Sequence, residues 1–294
     1  MNTVQYLLAA QPTRDGDGVR IARLGGAQLQ QLIDPFLMLD EIKSDDAADY
    51  LGGFPEHPHR GFETITYMKQ GGMRHRDHMG NEGVIEAGDL QWLTAGAGVL
   101  HSEMPEQQSG RLHGFQLWLN LPAAEKMRPP AYREIKSAAI QESALAGGGL
   151  LRALVGQIQR IDCVGGGEPI TLGEHSGLTT QPVIADLQLA ANTSVTVALP
   201  DSVQQGHWLV YHYLGSSADA VAGHLAVYSG NDPLRMVAGE QGLSALVLTG
   251  QPLREPIVQH GPFVMNTRQQ LEQAIADYHD GRFVASVAEV IEVN

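Results

Sequence analysis

The sequence predicts an all-β protein built of two β-sandwich or β-barrel domains. Three observations carry this expectation. Short runs rich in β-branched and aromatic residues recur along the chain, as in Phe62-Glu63-Thr64-Ile65-Thr66-Tyr67-Met68. Turn signals drawn from 34 glycines, with Asn and Pro, separate these runs. A clear helical pattern arises only near the end. Repeated short strands at this spacing favour a sandwich or barrel over a parallel βαβ sheet.

Taken in order, residues 3–42 alternate short apolar stretches with Gly and Asp turns such as Gly16-Asp17-Gly18. Asp34-Pro35 breaks the chain before Phe36-Leu37-Met38-Leu39, and the acidic residues 40–50 read as a loop. The strand from Phe62 ends at the turn Gln70-Gly71-Gly72. Val84-Ile85-Glu86 and Leu90-Gln91-Trp92-Leu93 read as two strands around Ala87-Gly88-Asp89. Phe115, Leu117, Leu119 and Leu121 alternate onto one apolar face. Further strands are expected at 150–155, 183–189, 194–198, 208–214, 225–229 and 244–249. Gly147-Gly148-Gly149 and Gly165-Gly166-Gly167 read as loop or linker. The expected division is therefore 1–140 and 141–294. In the second part, Thr267 and Gln270 form a capping box. Leu271, Ile275 and Tyr278 mark one face of a helix over 267–280, and Gly281 stops it.

Composition narrows the function classes. Hydrophobic residues are 43% and charged residues 18%, as in soluble globular proteins. The start of the chain has no basic region before a long apolar core, and no apolar run approaches the ~18 residues that span a bilayer. A cytoplasmic protein is expected. The net charge of −14 disfavours direct binding to nucleic acid, whose phosphates need a basic face. The single cysteine, Cys163, excludes an internal disulfide and has no adjacent histidine to make it a nucleophile. Nucleophile-elbow, phosphate-loop and dinucleotide fingerprints are absent.

The chemistry-bearing residues come as two pairs. His57-Pro58-His59 places two imidazoles on one face if the segment is extended, and Pro58 disfavours a helix. His101-Ser102-Glu103 repeats the i, i+2 spacing. Two such pairs on strands facing one cavity would offer three nitrogens and a carboxylate to one ion. That set suits Fe, Mn, Co, Ni, Cu or Zn and leaves coordination positions open for catalysis. One His-x-His pair alone is as easily a metal-free pair of surface or core histidines; the second pair shifts the balance. Glu63 competes with Glu103 as the carboxylate, and the residues alone leave that choice open. His75, His78 and His113 read as pocket-wall, outer or exposed groups. Arg60 reads as a structural ion-pair partner. His175, His207, His212, His224 and His260 show no paired spacing, so no metal is expected in the second half.

Several segments together resemble the pirin family. They are His57-Pro58-His59-Arg60-Gly61-Phe62-Glu63-Thr64, residues 88–96 (GDLQWLTAG), His101-Ser102-Glu103-Met104-Pro105, Leu112-His113-Gly114-Phe115-Gln116-Leu117-Trp118, Asp34-Pro35-Phe36-Leu37-Met38-Leu39-Asp40-Glu41 and Gly261-Pro262-Phe263-Val264-Met265-Asn266-Thr267. The likeness spans nearly the whole chain. It implies a bicupin whose N-terminal barrel carries the metal and whose C-terminal barrel is empty. It implies iron, as Fe(2+), held by His57, His59, His101 and Glu103, and so selects Glu103 over Glu63. Thr94 stands where many cupins have proline, a departure shared with pirins. The resemblance further implies a dioxygenase of the quercetinase type, with Glu103 as ligand and base. Its substrates would be a flavonol such as quercetin and dioxygen, and carbon monoxide would be released. The alternative it implies is a metal- or redox-responsive regulator that binds a protein partner, as eukaryotic pirins do. A monomer is expected.

Overall fold

Side chains of alternating polarity and frequent glycine turns produce a chain that is mostly strand, arranged as two cupin domains with a short C-terminal helix. The computed structural model describes residues 2–161, 170–173, 179–200, 206–229 and 232–284. Cys163, Gly165-Gly166-Gly167 and His175 lie outside the described residues.

After an opening strand β1 (Val4–Ala9) come the strands that carry the two residue pairs. These are β2 (Phe54–His59), β3 (Phe62–Gln70), β4 (Met73–Asp77), β5 (Glu82–Ile85), β6 (Leu90–Thr94), β7 (Val99–Pro105) and β8 (Leu112–Asn120). One sheet has the order β2-β7-β4-β5. In the other, β6, β3 and β8 are consecutive neighbours. Pro58 sits on β2, an edge strand, where its missing N–H leaves no gap inside the sheet. Val19, Ile21, Ile42, Tyr50, Met68, Met73, Ile85 and Leu112 form a buried apolar cluster.

The other cupin contains β9 (Gln141–Ala144), β10 (Gly149–Val155), β11 (Val183–Leu189), β12 (Ser194–Ala198), β13 (Trp208–Ser217), β14 (His224–Tyr228) and β15 (Leu234–Thr249). Its main sheet runs β1-β14-β13-β15-β11-β10-β9. The core is apolar, with Leu151, Val195, Val197, Trp208, Val210, Tyr228 and Met236 among its members. Of the strands expected from sequence here, 183–189 and 194–198 have the expected bounds and the others have shifted ends; the segment expected at 244–249 is the last part of the longer β15.

The chain forms two compact units, each drawn from separate stretches of sequence. One compact unit comprises Met1–Thr13, Ala22–Glu41 and Ile135–Arg254; the other comprises Arg14–Ile21, Ile42–Glu134 and Glu255–Asn294. The reason is pairing: β1 adds to β14 with Leu7 opposite Ala226, while the C-terminal segment packs beside Arg60. One expectation is corrected: residues 40–50 are not simply a loop. The strand Phe36–Ser44 runs through Asp40 and Glu41. Both carboxylates are buried but satisfied: Arg23 donates to Asp40 at 2.9 and 2.6 Å, and the Tyr211 hydroxyl to Glu41 at 2.6 Å.

The C-terminal helix α1 (Arg268–His279), preceded by the strand β16 (Phe263–Met265), starts with the expected capping box between Thr267 and Gln270. It buries Leu271 and Ala274 in a cluster with Phe263, Met265 and Phe283. From the end of β2, buried Arg60 donates to Asp277 Oδ2 at 2.7 Å and to the Phe283 carbonyl at 3.0 Å, and its guanidinium lies 4.4 Å from the Phe283 ring centre. Next to it Gly61 has φ +89°, and a Cβ there would collide with the Val264 carbonyl. The buried Lys126 ammonium donates to Gly61 O at 2.7 Å, Asn120 Oδ1 at 2.7 Å and Val264 O at 3.0 Å. Burial pushes its pKa down to about 7, with Glu255 opposing. Three carbonyl acceptors match the three N–H groups of the charged form.

Arg60→Ala is expected to lower unfolding stability by about 2–3 kcal/mol, through the lost charged hydrogen bonds and ring contact. The Arg60 hydrogen bond holds the Asp277 carboxyl below its ordinary value. That contribution is therefore full above about pH 4 and lost as pH falls through the lowered pKa. Denaturant titrations should show the wild-type–variant gap shrinking below about pH 4; a gap constant with pH would contradict the pair.

Candidate metal centre

The geometry of the site follows from strand register. β7 lies between β2 and β4, with His101 directly opposite His57 on one side and Asp77 on the other. Glu103, two residues on, is opposite His75. Period-two alternation then turns His57, His59, His101, Glu103 and His75 to the same side of the sheet. His59, His75, His101 and Glu103 are buried, and His57 is half-buried.

The donor atoms of His57, His59 and His101 lie within 4.8 Å of one another, as do those of His75, His101 and Glu103. His101 is the shared member. His57 Nε2 and His59 Nε2 are 3.0 Å apart. His57 Nδ1 meets the Pro55 carbonyl at 2.8 Å, which fixes the proton on Nδ1 and leaves the Nε2 lone pair directed inward. Burial holds His59 well below the usual imidazole pKa, reinforced by His57 and opposed by the Pro262 carbonyl. Burial does the same to His101, aided by the neighbouring imidazoles His59, His57 and His75. Both are therefore neutral near pH 7, the form that ligates metals.

The residues fit a cation. Both ring nitrogens of His101, the residue common to the two groups, are buried without a hydrogen-bond partner. Each such group costs about 1–3 kcal/mol if nothing satisfies it. The inward nitrogens are acceptors, and the adjacent carboxylate adds negative charge. This His/Glu cluster could hold a metal.

Glu63 is elsewhere. It alternates onto the opposite face of β3, where the Thr94 hydroxyl donates to Oε1 at 2.6 Å. Burial raises its pKa, partly offset by hydrogen bonding from Thr94 and Trp92. His75 is closer to the centre than the sequence reading placed it. Its ring lies 5.4 Å from His101 and stacks on Tyr132 at 4.4 Å, while Nε2 donates to Asp77 at 3.2 Å. Burial raises the Asp77 pKa, but hydrogen bonds from His75 and Asn81 outweigh it and the net shift is downward. In the other unit, His212 has Nδ1 at 3.2 Å from the Val210 carbonyl and Nε2 at 2.9 Å from Ser217 Oγ.

Sequence reasoning missed the residues that face Glu103 from the other sheet. Thr66 donates to Oε1 at 3.2 Å, Gln91 to Oε1 at 3.0 Å and Gln116 to Oε2 at 2.6 Å. Trp118, on the same face of β8 as Gln116, packs 5.2 Å from the His59 ring. The available signal was Gln91 and Gln116 inside otherwise apolar strands.

The pirin family model matches residues 18–119, and the model of the pirin C-terminal cupin domain matches residues 184–284. The human protein pirin is 36% identical over 281 residues, 91% of this chain and 89% of its own. The chain belongs to the pirin family. A relative from Vibrio cholerae is 43% identical over 284 residues, 95% of this chain and 97% of its own, and is named provisionally as a quercetin 2,3-dioxygenase. The crystal structure of quercetin 2,3-dioxygenase from Acinetobacter baumannii superposes with a TM-score of 0.82 at 31% identity, covering 97% of this chain and 99% of that one. Among the described residues, no helix is long and apolar enough to cross a membrane.

His101→Ala is expected to abolish most bound metal, because it removes the member common to both groups. His212→Ala should leave metal content unchanged. Elemental analysis of the two purified proteins decides this, and equal loss in both would contradict a single centre.

Proposed function

We propose that the protein is a metal-dependent dioxygenase of the quercetinase type, acting on a flavonol and dioxygen. The observation that carries this reading is the buried convergence of His57, His59 and His101 beside Glu103, in a family whose relatives include proteins named for that activity. These four residues would hold one divalent transition ion, with Fe(2+) preferred among Fe, Mn, Co, Ni, Cu and Zn. Such an ion supplies Lewis acidity toward a bound oxyanion and redox chemistry toward dioxygen.

The chain's own part begins with exposure. His57 is the least buried of the four, so substrate reaches the site from its side. Glu103, beside the three imidazoles, would take the flavonol hydroxyl proton on a carboxylate oxygen. That transfer needs the hydroxyl within about 2.6–3.2 Å of the carboxylate. The deprotonated ring takes up both oxygen atoms of dioxygen and loses one carbon as carbon monoxide, which balances the atoms.

Iron-loaded protein mixed anaerobically with quercetin should bleach the flavonol absorbance on admission of oxygen and release one carbon monoxide per flavonol. Glu103→Gln should slow this by about 100-fold or more. Absence of turnover with Fe, Mn, Co, Ni and Cu alike would overturn the reading in favour of the partner-binding regulator.

A further inference from the structure

The three donors to Glu103 form one row. Thr66 on β3 is directly opposite Gln116 on β8 and Gln91 on β6, so three adjacent strands present one polar side chain each at the same level. All three reach across the barrel to one carboxylate on β7 in the facing sheet. A carboxylate only accepts, so both amides must turn Nε2 toward it. For Gln91 this leaves Oε1 buried without a partner, a cost the structure carries to aim the N–H at Glu103.

We infer that Thr66, Gln91 and Gln116 are positioning residues that set the rotamer of Glu103 and present its carboxylate to the metal. The inference rests on Glu103 being a ligand, as proposed above. The donors are neutral, so they orient the anion without cancelling the charge a cation requires. Two engage Oε1 and one engages Oε2, which restrains the carboxylate plane as well as its distance. Hydrogen-bond partners of metal ligands commonly contribute 10–100-fold in metal affinity. The row also disfavours a neutral amide at position 103, because the NH2 of glutamine would face donors.

The test is Co(2+) affinity of chelator-stripped protein, measured by chelator competition. Thr66→Val keeps the side-chain shape and deletes only the donor; Thr66→Ser keeps the hydroxyl; Gln116→Leu removes the shortest hydrogen bond. Thr66→Val and Gln116→Leu should each weaken Co(2+) binding by about 10–100-fold, and Thr66→Ser should bind as wild type. In a Glu103→Ala background, adding Gln116→Leu should weaken binding no further, because the residue to be positioned is gone. Wild-type affinity in both Thr66→Val and Gln116→Leu, with Glu103→Ala weakened, would overturn the positioning role alone. So would additive losses in the double variant. Wild-type affinity in Glu103→Ala would instead overturn the ligand assignment, and the inference with it.

Discussion

The structure depends on the position of β7 between two strands in fixed register. Sharing β7 brings His101 beside His57 and His59 on one side and Glu103 beside His75 on the other. A slip of one residue would turn every one of these side chains to the opposite face. Burying neutral imidazoles with unpartnered nitrogens against one another is unfavourable unless something satisfies them. A cation would engage one inward nitrogen of each ring, and the adjacent carboxylate would balance its charge. Arg60 and Lys126 stabilise the end of β2 from outside by tying it to the C-terminal segment.

The two cupins differ in how their interiors are lined. In one, the face of β3 directed at β7 carries Thr64 and Thr66, and β8 contributes Gln116 and Trp118. In the other, the core is filled with Leu, Val, Ala, Trp and Met side chains. His212 there has both nitrogens engaged by local oxygens, which suits a core histidine.

The all-β class, the helix with its capping box and the two residue pairs that converge were legible because each follows from local periodicity or spacing. His57, His59 and His101 needed only the period of two. Three features were not legible. Thr66, Gln91 and Gln116 are separated by 25 residues at each step and meet only through strand pairing, which no local pattern states. The apolar alternation of Phe115, Leu117, Leu119 and Leu121 drew the eye to one face of β8 while Gln116 and Trp118 built the site from the other. Asp40 and Glu41 looked like loop residues because their partners Arg23 and Tyr211 are distant in sequence for one and very distant for the other. The exchange of β1 and the C-terminal segment between units was hidden for the same reason.

We propose one metal ion held by three imidazoles and by the carboxylate that the facing sheet restrains. Crystals of metal-loaded protein, measured on both sides of the metal's absorption edge, test it directly. One anomalous peak is expected, bounded by nitrogens of His57, His59 and His101 and an oxygen of Glu103. A peak beside Glu63 or His212, or none at the histidine cluster, would contradict it.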